Sequence, residues 1–479
     1  MTRALRRSML AAAVVAVAAA ALGIGVRSTH GGHAAVDEPQ YLLSALSLWE
    51  DGDLDISDEL AGERWRAFHD AELPVQTEVL RDGRQISPHD PLLPLLLALP
   101  MGLGGWLAAK LTLAALVGAC AALCVWLAVC RLSVPPRIAG AGVALAFASP
   151  PLAIYGGQVY PELPAATVVV LAVAAITGSL RLPALLATAA SVVALPWLSV
   201  KYAPVAAALA AIALWRLVRS GRNTGAIQLA SALVVAAGGF VLAHRLVWGG
   251  WTAYASGDHF AKTGEFSVVG VSPDYVGRSL RLVGLLFDRH YGLVPWQLAW
   301  LLVVPAAAAL LRRRPRHAAA ILLPVAAAWA TATWIALTMH GFWWPGRQVV
   351  VVLPLLVLGV LWWLTAVAGP RLRVASVAMA ATGPLLYATL LLDGWAREIT
   401  WVTGFQNVDN PLYAGVRLLL PDYGVQGPGF WLRHVALICL VSALAIASWR
   451  QAGRSDAARH PADTAPPEEP VGARSLTSA

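Results

Sequence analysis

Two adjacent carboxylates, Asp37 and Glu38, follow shortly after the first long apolar run of the sequence. Aspartate is a favourable N-cap, glutamate stabilises a first helical turn, and proline, here Pro39, is tolerated there. The same pair would suit chemistry if one carboxylate acted as a general base for a hydroxyl group. Successive helical residues point about 100° apart, so we expect the two carboxylates to have different partners. The residues alone leave capping and catalysis about equally open.

Two scarce cations follow later in the chain. Lysine occurs only three times, and Lys201 lies in "PWLSVKYAP", between two apolar runs. The Lys201 side chain either extends to the membrane interface or contributes to a functional site. Arg347 lies in "HGFWWPGRQ", and a planar guanidinium suits phosphate oxygens. The neighbouring Trp343 and Trp344 are typical of an aromatic belt at a membrane interface.

His89, in "SPHDPLLP", and Glu162, in "YPELP", also lie at predicted ends of apolar spans. Each taken singly is more typical of a loop or cap residue. Their position matters more, because Asp37, Glu38, His89, Glu162, Lys201 and Arg347 all map to one predicted membrane face. This convergence favours a site at that face.

An acidic stretch, "EDGDLDISDE" (residues 50–59), resembles the start of a calcium loop. An EF-hand requires glycine at its sixth position and glutamate at its twelfth, where this chain has Ile56 and Gly62. The pattern favours a solvated acidic turn. No metal site is therefore predicted, and no cofactor is assigned, although a requirement for a divalent cation is left open.

The elements that position these residues are membrane helices. Of 479 residues, 58% are hydrophobic and 13% are charged, against roughly a quarter charged in soluble domains. Apolar runs near the length of a bilayer span recur along the chain. The net charge of +8 follows from arginines at alternate loops and does not indicate nucleic acid.

This alternation predicts an all-α polytopic protein with about twelve transmembrane helices and both termini in the cytoplasm. The predicted layout is a membrane domain over 1–450 and a disordered cytoplasmic tail over 451–479. The long polar loops 27–90, 248–290 and 393–430 fall on the outer side. The first of these loops contains two predicted surface helices, in "YLLSALSLW" and "LAGERWRAFH", and the stretch 91–105 either crosses the membrane or re-enters it.

Several motifs, in this order, resemble the GT-C glycosyltransferases, in particular the protein O-mannosyltransferase and aminoarabinose transferase branch. They are the Asp-Glu pair of the first outer loop, "HDPLLPLLLALPMGLGG", "YPELPA", "LPWLSVKYAP" and "GFWWPGRQVVVVLP". The resemblance covers most of the chain up to the predicted tenth helix. This sequence departs from the family in its "HDP" and in having no large C-terminal soluble domain.

The resemblance implies a multi-pass enzyme of the cell membrane that transfers a sugar from a polyprenyl-phosphate-linked donor to a hydroxyl acceptor at the extracytoplasmic face. It implies Asp37 as the catalytic base. Glu38, His89 and Glu162 are expected at the acceptor, and Lys201 and Arg347 at the donor phosphate. The sugar stays open, as does the acceptor, which is a glycan, a lipid or a protein. The alternative is a lipid or sugar transporter or flippase, which would place ionisable groups near the bilayer midplane.

Overall fold

The computed structural model describes residues 1–80, 82–251 and 274–457. Within these ranges the chain is mostly α-helical, as its composition predicts. The strands of this described part are limited to β1 (Glu78–Val79) and β2 (Gln85–Ile86), which pair antiparallel in the first polar loop. Helices or helix starts therefore position most candidate site residues, whereas His89 lies between β2 and the helix that begins at Leu92.

The helices divide into two groups along the chain. The first group comprises α1 (Arg3–Ile24), α2 (Glu38–Glu50), α3 (Ser57–Ala61), α4 (Leu92–Cys130), α5 (Pro136–Phe147), α6 (Leu152–Tyr155), α7 (Glu162–Thr177), α8 (Leu182–Leu198), α9 (Ala203–Arg219) and α10 (Asn223–Trp248). The second comprises α11 (Tyr275–Arg278), α12 (Arg281–Phe287), α13 (Val303–Arg313), α14 (Ala318–Ala330), α15 (Leu353–Ala366), α16 (Pro370–Trp395), α17 (Pro411–Leu419) and α18 (Phe430–Ala457). Short 3-10 segments occur at Arg64–Ala67, Val200–Tyr202, Leu298–Leu302, Arg347–Val352 and Phe405–Asn407, and Thr331–Ile335 is a π-helical turn.

Eight helical segments of the described chain are long and apolar enough to cross a membrane. They are Arg3–Ile24, Leu92–Cys130, Val200–Arg219, Asn223–Trp248, Ala318–Ile335, Arg347–Ala366, Pro370–Trp395 and Phe430–Arg454. In two of them, Asn223–Trp248 and Phe430–Arg454, only 17% of the most apolar stretch is buried by other parts of the protein. Such exposed apolar helices are compatible with a lipid surrounding, since water would leave their side chains unfavourably hydrated.

The predicted count of about twelve spans is not reached by these long helices. Four further predicted spans coincide with the shorter helices α5, α7, α8 and α13. Helices of 11 to 17 residues are about 17 to 26 Å long, which is less than a hydrocarbon core of about 30 Å. The structure thus shows eight membrane-length helices, and the higher count stays a prediction.

The apolar stretch 91–105 forms the first part of α4 rather than a separate span. Gly104 and Gly105 interrupt the helical backbone, and Gly105 has φ 65° and ψ −162°. This conformation is open to glycine and costly for other residues. The segment from Leu92 to Leu103 is about 18 Å long at 1.5 Å per residue, so it does not cross a bilayer alone.

The first polar loop lies against the membrane helices. The predicted surface helix of "YLLSALSLW" is α2, and its apolar residues, including Tyr41 and Leu42, are buried while α2 packs on α4. The second predicted helix is divided into α3 and a 3-10 turn. At the C-terminus α18 extends to Ala457, which lies within the predicted tail. The rest of that tail, 458–479, and the part 252–273 of the second polar loop lie outside the described residues.

Candidate active site

Four predicted site residues meet although they are far apart in sequence. Asp37 precedes α2, Glu162 begins α7, Lys201 lies in the 3-10 turn before α9, and Arg347 begins the 3-10 turn before α15. Helix starts are polar ends, where side chains of neighbouring elements converge. The fold therefore brings together residues that the sequence assigned only to a common membrane face.

The four side chains form one continuous chain of ion pairs. Arg347 Nη2 lies 2.5 Å from Asp37 Oδ2, and Arg347 Nε lies 2.9 Å from Glu162 Oε1. Lys201 Nζ lies 2.7 Å from the same Glu162 oxygen. One carboxylate thus holds two cations at a fixed separation, and the second carboxylate ends the chain.

Asp37 does not cap the helix that it precedes. It occupies the N-cap position of α2, yet its side chain makes no capping hydrogen bond. Its carboxylate instead binds Arg347, from a position 310 residues away in sequence. The choice between a cap and another role, which the residue types left open, is decided against the cap.

Burial increases along the chain of ion pairs toward its centre. The side chains at the two ends, Lys201 and Asp37, are 28% and 13% exposed. The side chains at the centre, Arg347 and Glu162, are 10% and 0% exposed. Removing charges from water is costly unless each has a partner, which explains the alternating charges. The two ends, Asp37 and Lys201, are the more exposed members of the chain of ion pairs.

The turn that carries Arg347 is fixed by two features. Gly346 has φ 85°, a left-handed conformation that glycine adopts without strain. The Tyr155 hydroxyl donates a 2.6 Å hydrogen bond to the carbonyl of Trp344. Trp344 is fully buried, so the predicted aromatic belt is wrong for this residue.

Aromatic rings cover the guanidinium of Arg347. Its central carbon lies 4.3 Å from the centre of the Tyr160 ring and 5.2 Å from that of Trp343. Such cation–π contacts hold the guanidinium in place while leaving its N–H groups directed at oxygen acceptors. The arrangement suits an arginine that binds anions in a fixed orientation.

His89 lies at the edge of this cluster. Its Nε2 is 4.0 Å from Asp37 Oδ1, too far for a direct hydrogen bond, and its ring stacks on Tyr41 at 4.7 Å between centres. Burial lowers the pKa of His89. Burial raises the pKa of Asp37, but the adjacent Arg347 charge acts the other way and holds that pKa below the ordinary aspartate value. At neutral pH, Asp37 is therefore ionised and His89 is uncharged.

Glu38 points away from its neighbour, as the helical geometry predicts. It is fully buried and lies 3.1 Å from Lys110 Nζ, a lysine inside the span of α4. It also accepts hydrogen bonds from Ser28 Oγ and from the backbone N–H groups of Ala35 and Val159. Glu38 therefore holds the backbone around the site, and in this structure it offers no surface to an acceptor.

A buried pair that sequence reasoning missed lies behind the site. His244 Nε2 in α10 is 2.9 Å from Asp90 Oδ1, and Asp90 Oδ2 accepts from the backbone N–H of Val200 at 2.9 Å. Asp90 follows His89 and Val200 precedes Lys201, so this pair ties two site turns to one helix. The sequence signal was a single histidine inside an apolar span.

Several buried polar atoms near the ion pairs have no hydrogen-bond partner within the described chain. They include Glu162 Oε2 and the Tyr202 hydroxyl. Buried polar groups are almost always paired, and exceptions are found where a ligand or water completes the contacts. The Tyr202 hydroxyl can donate a hydrogen bond, whereas the ionised Glu162 oxygen can only accept one.

Comparison with protein-family models, curated proteins and solved structures yields no match. The roles of the site residues accordingly depend on their own geometry and on the resemblance of the motifs.

Proposed function

We propose that the protein is an integral membrane glycosyltransferase that moves a sugar from a polyprenyl-phosphate-linked donor to a hydroxyl acceptor. The observation that carries the proposal is the contact of Arg347 with Asp37, extended through Glu162 to Lys201. This arrangement puts a proton-accepting carboxylate beside two cations suited to phosphate. The reaction is assigned to the extracytoplasmic face of the cell membrane, in a chain of about twelve spans with cytoplasmic termini. The acceptor is a cell-envelope glycan, a lipid or a protein.

The proposed reaction is a single displacement. The acceptor oxygen bonds to the anomeric carbon as the bond from that carbon to the phosphate oxygen breaks. The hydroxyl proton passes to Asp37, and the bonding electrons leave with the polyprenyl phosphate. Attack opposite the leaving group inverts the sugar carbon. A phosphate leaving group needs positive charge, from Arg347 and Lys201, more than it needs a general acid.

Donor binding and activation of the base are coupled in this proposal. In this structure Arg347 binds Asp37 through Nη2 and thereby weakens Asp37 as a base. A donor phosphate that takes this nitrogen competes directly with Asp37. Once Arg347 is drawn away, the pKa of Asp37 rises, and each pKa unit corresponds to about 1.4 kcal/mol. Asp37 thus becomes an effective base when the donor is in place.

The other predicted residues take supporting roles. Glu162 sets the distance between Lys201 and Arg347, and its full burial makes it a positioning residue for both cations. His89, uncharged and 4.0 Å from Asp37, is placed to contact the acceptor hydroxyl. Glu38 supports the loop from inside.

The transporter or flippase alternative draws on Lys110, an ionisable group inside a span. Lys110 is 1% exposed, is paired with Glu38 and donates to the carbonyl of His33 at 2.6 Å. A buried lysine with both partners fixed is a structural element rather than part of a substrate path. The contact between Lys110 and Glu38 therefore favours the transferase over the transporter or flippase.

The test uses purified protein in liposomes with a panel of polyprenyl-phosphate-linked hexoses and pentoses. Wild type is expected to form glycosylated acceptor, and Asp37→Asn to lose at least 100-fold of the rate, in line with removal of a general base. Asp70→Asn is the matched control, because Asp70 is an exposed carboxylate of the same loop that pairs only with Arg27 among the described residues. Movement of donor between leaflets without any product would favour the flippase, and full activity of Asp37→Asn would exclude Asp37 as the base.

A further inference from the structure

The acidic turn after α2 gathers three carboxylates. Asp51, Asp58 and Glu59 each place a carboxylate oxygen within 4.8 Å of the other two. Two oxygens bound to one calcium ion at 2.3–2.6 Å lie at most about 5 Å apart. The spacing of the three groups is therefore that of a cation site, even though the turn lacks the EF-hand pattern.

The neighbouring carboxylates, Asp53 and Asp55, accept hydrogen bonds within the loop. Asp53 Oδ1 accepts from the backbone N–H of Asp55 at 2.9 Å, and Asp55 Oδ1 accepts from the backbone N–H groups of Ser57 and Gln85 at 3.1 and 2.9 Å. These bonds close the loop and give it a defined shape. Asp53 and Asp55 thus stabilise the fold of the turn, whereas the carboxylates of Asp51, Asp58 and Glu59 lie close to one another.

Glu59 supplies independent evidence of a ligand. It is only 1% exposed, and no N–H or hydroxyl donor of another residue in the described chain reaches its carboxylate oxygens, which lie against the Asp58 carboxyl group. A buried carboxylate without donors is strongly unfavourable unless something else compensates its charge. Its oxygen faces Asp51 and Asp58, two further carboxylates that increase the repulsion. A bound cation would satisfy all three.

We propose that Asp51, Asp58 and Glu59 bind a calcium ion. Three carboxylates from two adjoining segments, with water completing the shell at the exposed Asp51 and Asp58, match the flexible all-oxygen coordination that calcium accepts. Magnesium demands near-octahedral geometry at shorter distances and is bound less well by such an irregular set. With few protein ligands, the expected dissociation constant is in the range of about 10⁻⁴ to 10⁻³ M, as in extracellular modules.

The ion would hold the end of α2 against the start of α3. Asp51 directly follows α2, whereas Asp37 precedes it, and a 13-residue helix is about 20 Å long. The ion is therefore out of reach of the reacting atoms. Its role is to fix the first polar loop, so this inference stands independently of the proposed function.

The experiment uses the full chain, purified in detergent and freed of metal with a chelator. Terbium luminescence reports occupancy, since Trp49, two residues before Asp51 and 44% exposed, is positioned to sensitise the ion. Calcium is expected to displace one terbium ion and to raise the temperature of unfolding. Asp51→Asn, which changes an exposed side chain and leaves the fold intact, and Glu59→Gln are each expected to weaken calcium binding at least 10-fold.

Asp82→Asn serves as the control, because Asp82 is an exposed carboxylate of the same loop that pairs with Arg84. It is expected to bind calcium as wild type does. Failure of wild type to bind calcium, or equal binding by Asp51→Asn and the control, would overturn the site. Equal competition by magnesium at the same concentration would overturn its assignment to calcium. All these readouts are independent of sugar transfer.

Discussion

Replacement of Arg347 by glutamine tests the ion-pair chain at its centre. The substitution removes the only described partner of Asp37 within hydrogen-bond distance and one of the two partners of Glu162. Asp37 and Glu162 then share a single cation, Lys201, in surroundings where both carboxylates are at least 87% buried. Breaking a buried pair by deleting one partner costs about 3–5 kcal/mol. Glutamine preserves much of the side-chain length, so the lost charge dominates.

The cost depends on pH with a defined sign. Without Arg347, burial raises the pKa of Asp37 above its value in the unfolded chain. A carboxylate whose pKa is higher in the folded state destabilises the protein as pH rises, and this penalty disappears as the pH falls below the unfolded value. We therefore expect Arg347→Gln to be destabilised more at pH 7.5 than at pH 5.

Thermal unfolding in one detergent, followed by tryptophan fluorescence at both pH values, measures this difference. The control is Arg84→Gln, because Arg84 pairs with Asp82 at the surface, where both side chains are more than half exposed. Exposed pairs contribute little, so its unfolding temperature is expected to match wild type at both pH values. If Arg347→Gln behaves like this control, or is destabilised more at pH 5, the buried ion-pair chain does not exist as described.

Three further substitutions test other parts of the site. Lys201→Met leaves Glu162 with Arg347, so we expect a folded protein whose KM for the donor rises at least 10-fold; an unchanged KM would remove Lys201 from the donor site. Lys110→Met leaves Glu38 buried without a cation and is expected to cost about 3–5 kcal/mol in stability, recovered in part by Glu38→Gln in the same chain; additive losses in the double variant would contradict the pairing. His244→Phe keeps the ring that stacks on Trp248 but loses the bond to Asp90, and it is expected to raise the donor KM more than it lowers kcat; equal loss in both would argue against a positioning role.

The sequence predicted much of the site's membership. The sequence places Asp37, Glu162, Lys201 and Arg347 on one predicted membrane face, and the structure brings them into contact. Their pairing was not predictable, since the partners lie 39 to 310 residues apart and depend on how the helices pack. Their roles in transfer stay predictions.

Other features escaped sequence reasoning for physical reasons. Lys110 and His244 lie inside apolar spans. A polar residue at such a position indicates a specific contact, but the sequence does not show which residue is its partner. The predicted number of spans exceeds the eight long helices of the described chain because short helices such as α5 have the apolar pattern of a span without its length. Trp344 carries the same signature as a belt residue, and only the packing shows that it is buried.

The central claim is that Arg347 exchanges Asp37 for a donor phosphate. The most direct measurement is a cryo-electron microscopy structure of the protein with a non-transferable phosphonate analogue of a polyprenyl-phosphate sugar. We predict a phosphonate oxygen about 3 Å from an Arg347 nitrogen, Lys201 close to the same group, and Asp37 released toward the anomeric carbon. A phosphonate bound elsewhere, with Arg347 still holding Asp37, would contradict the proposed site.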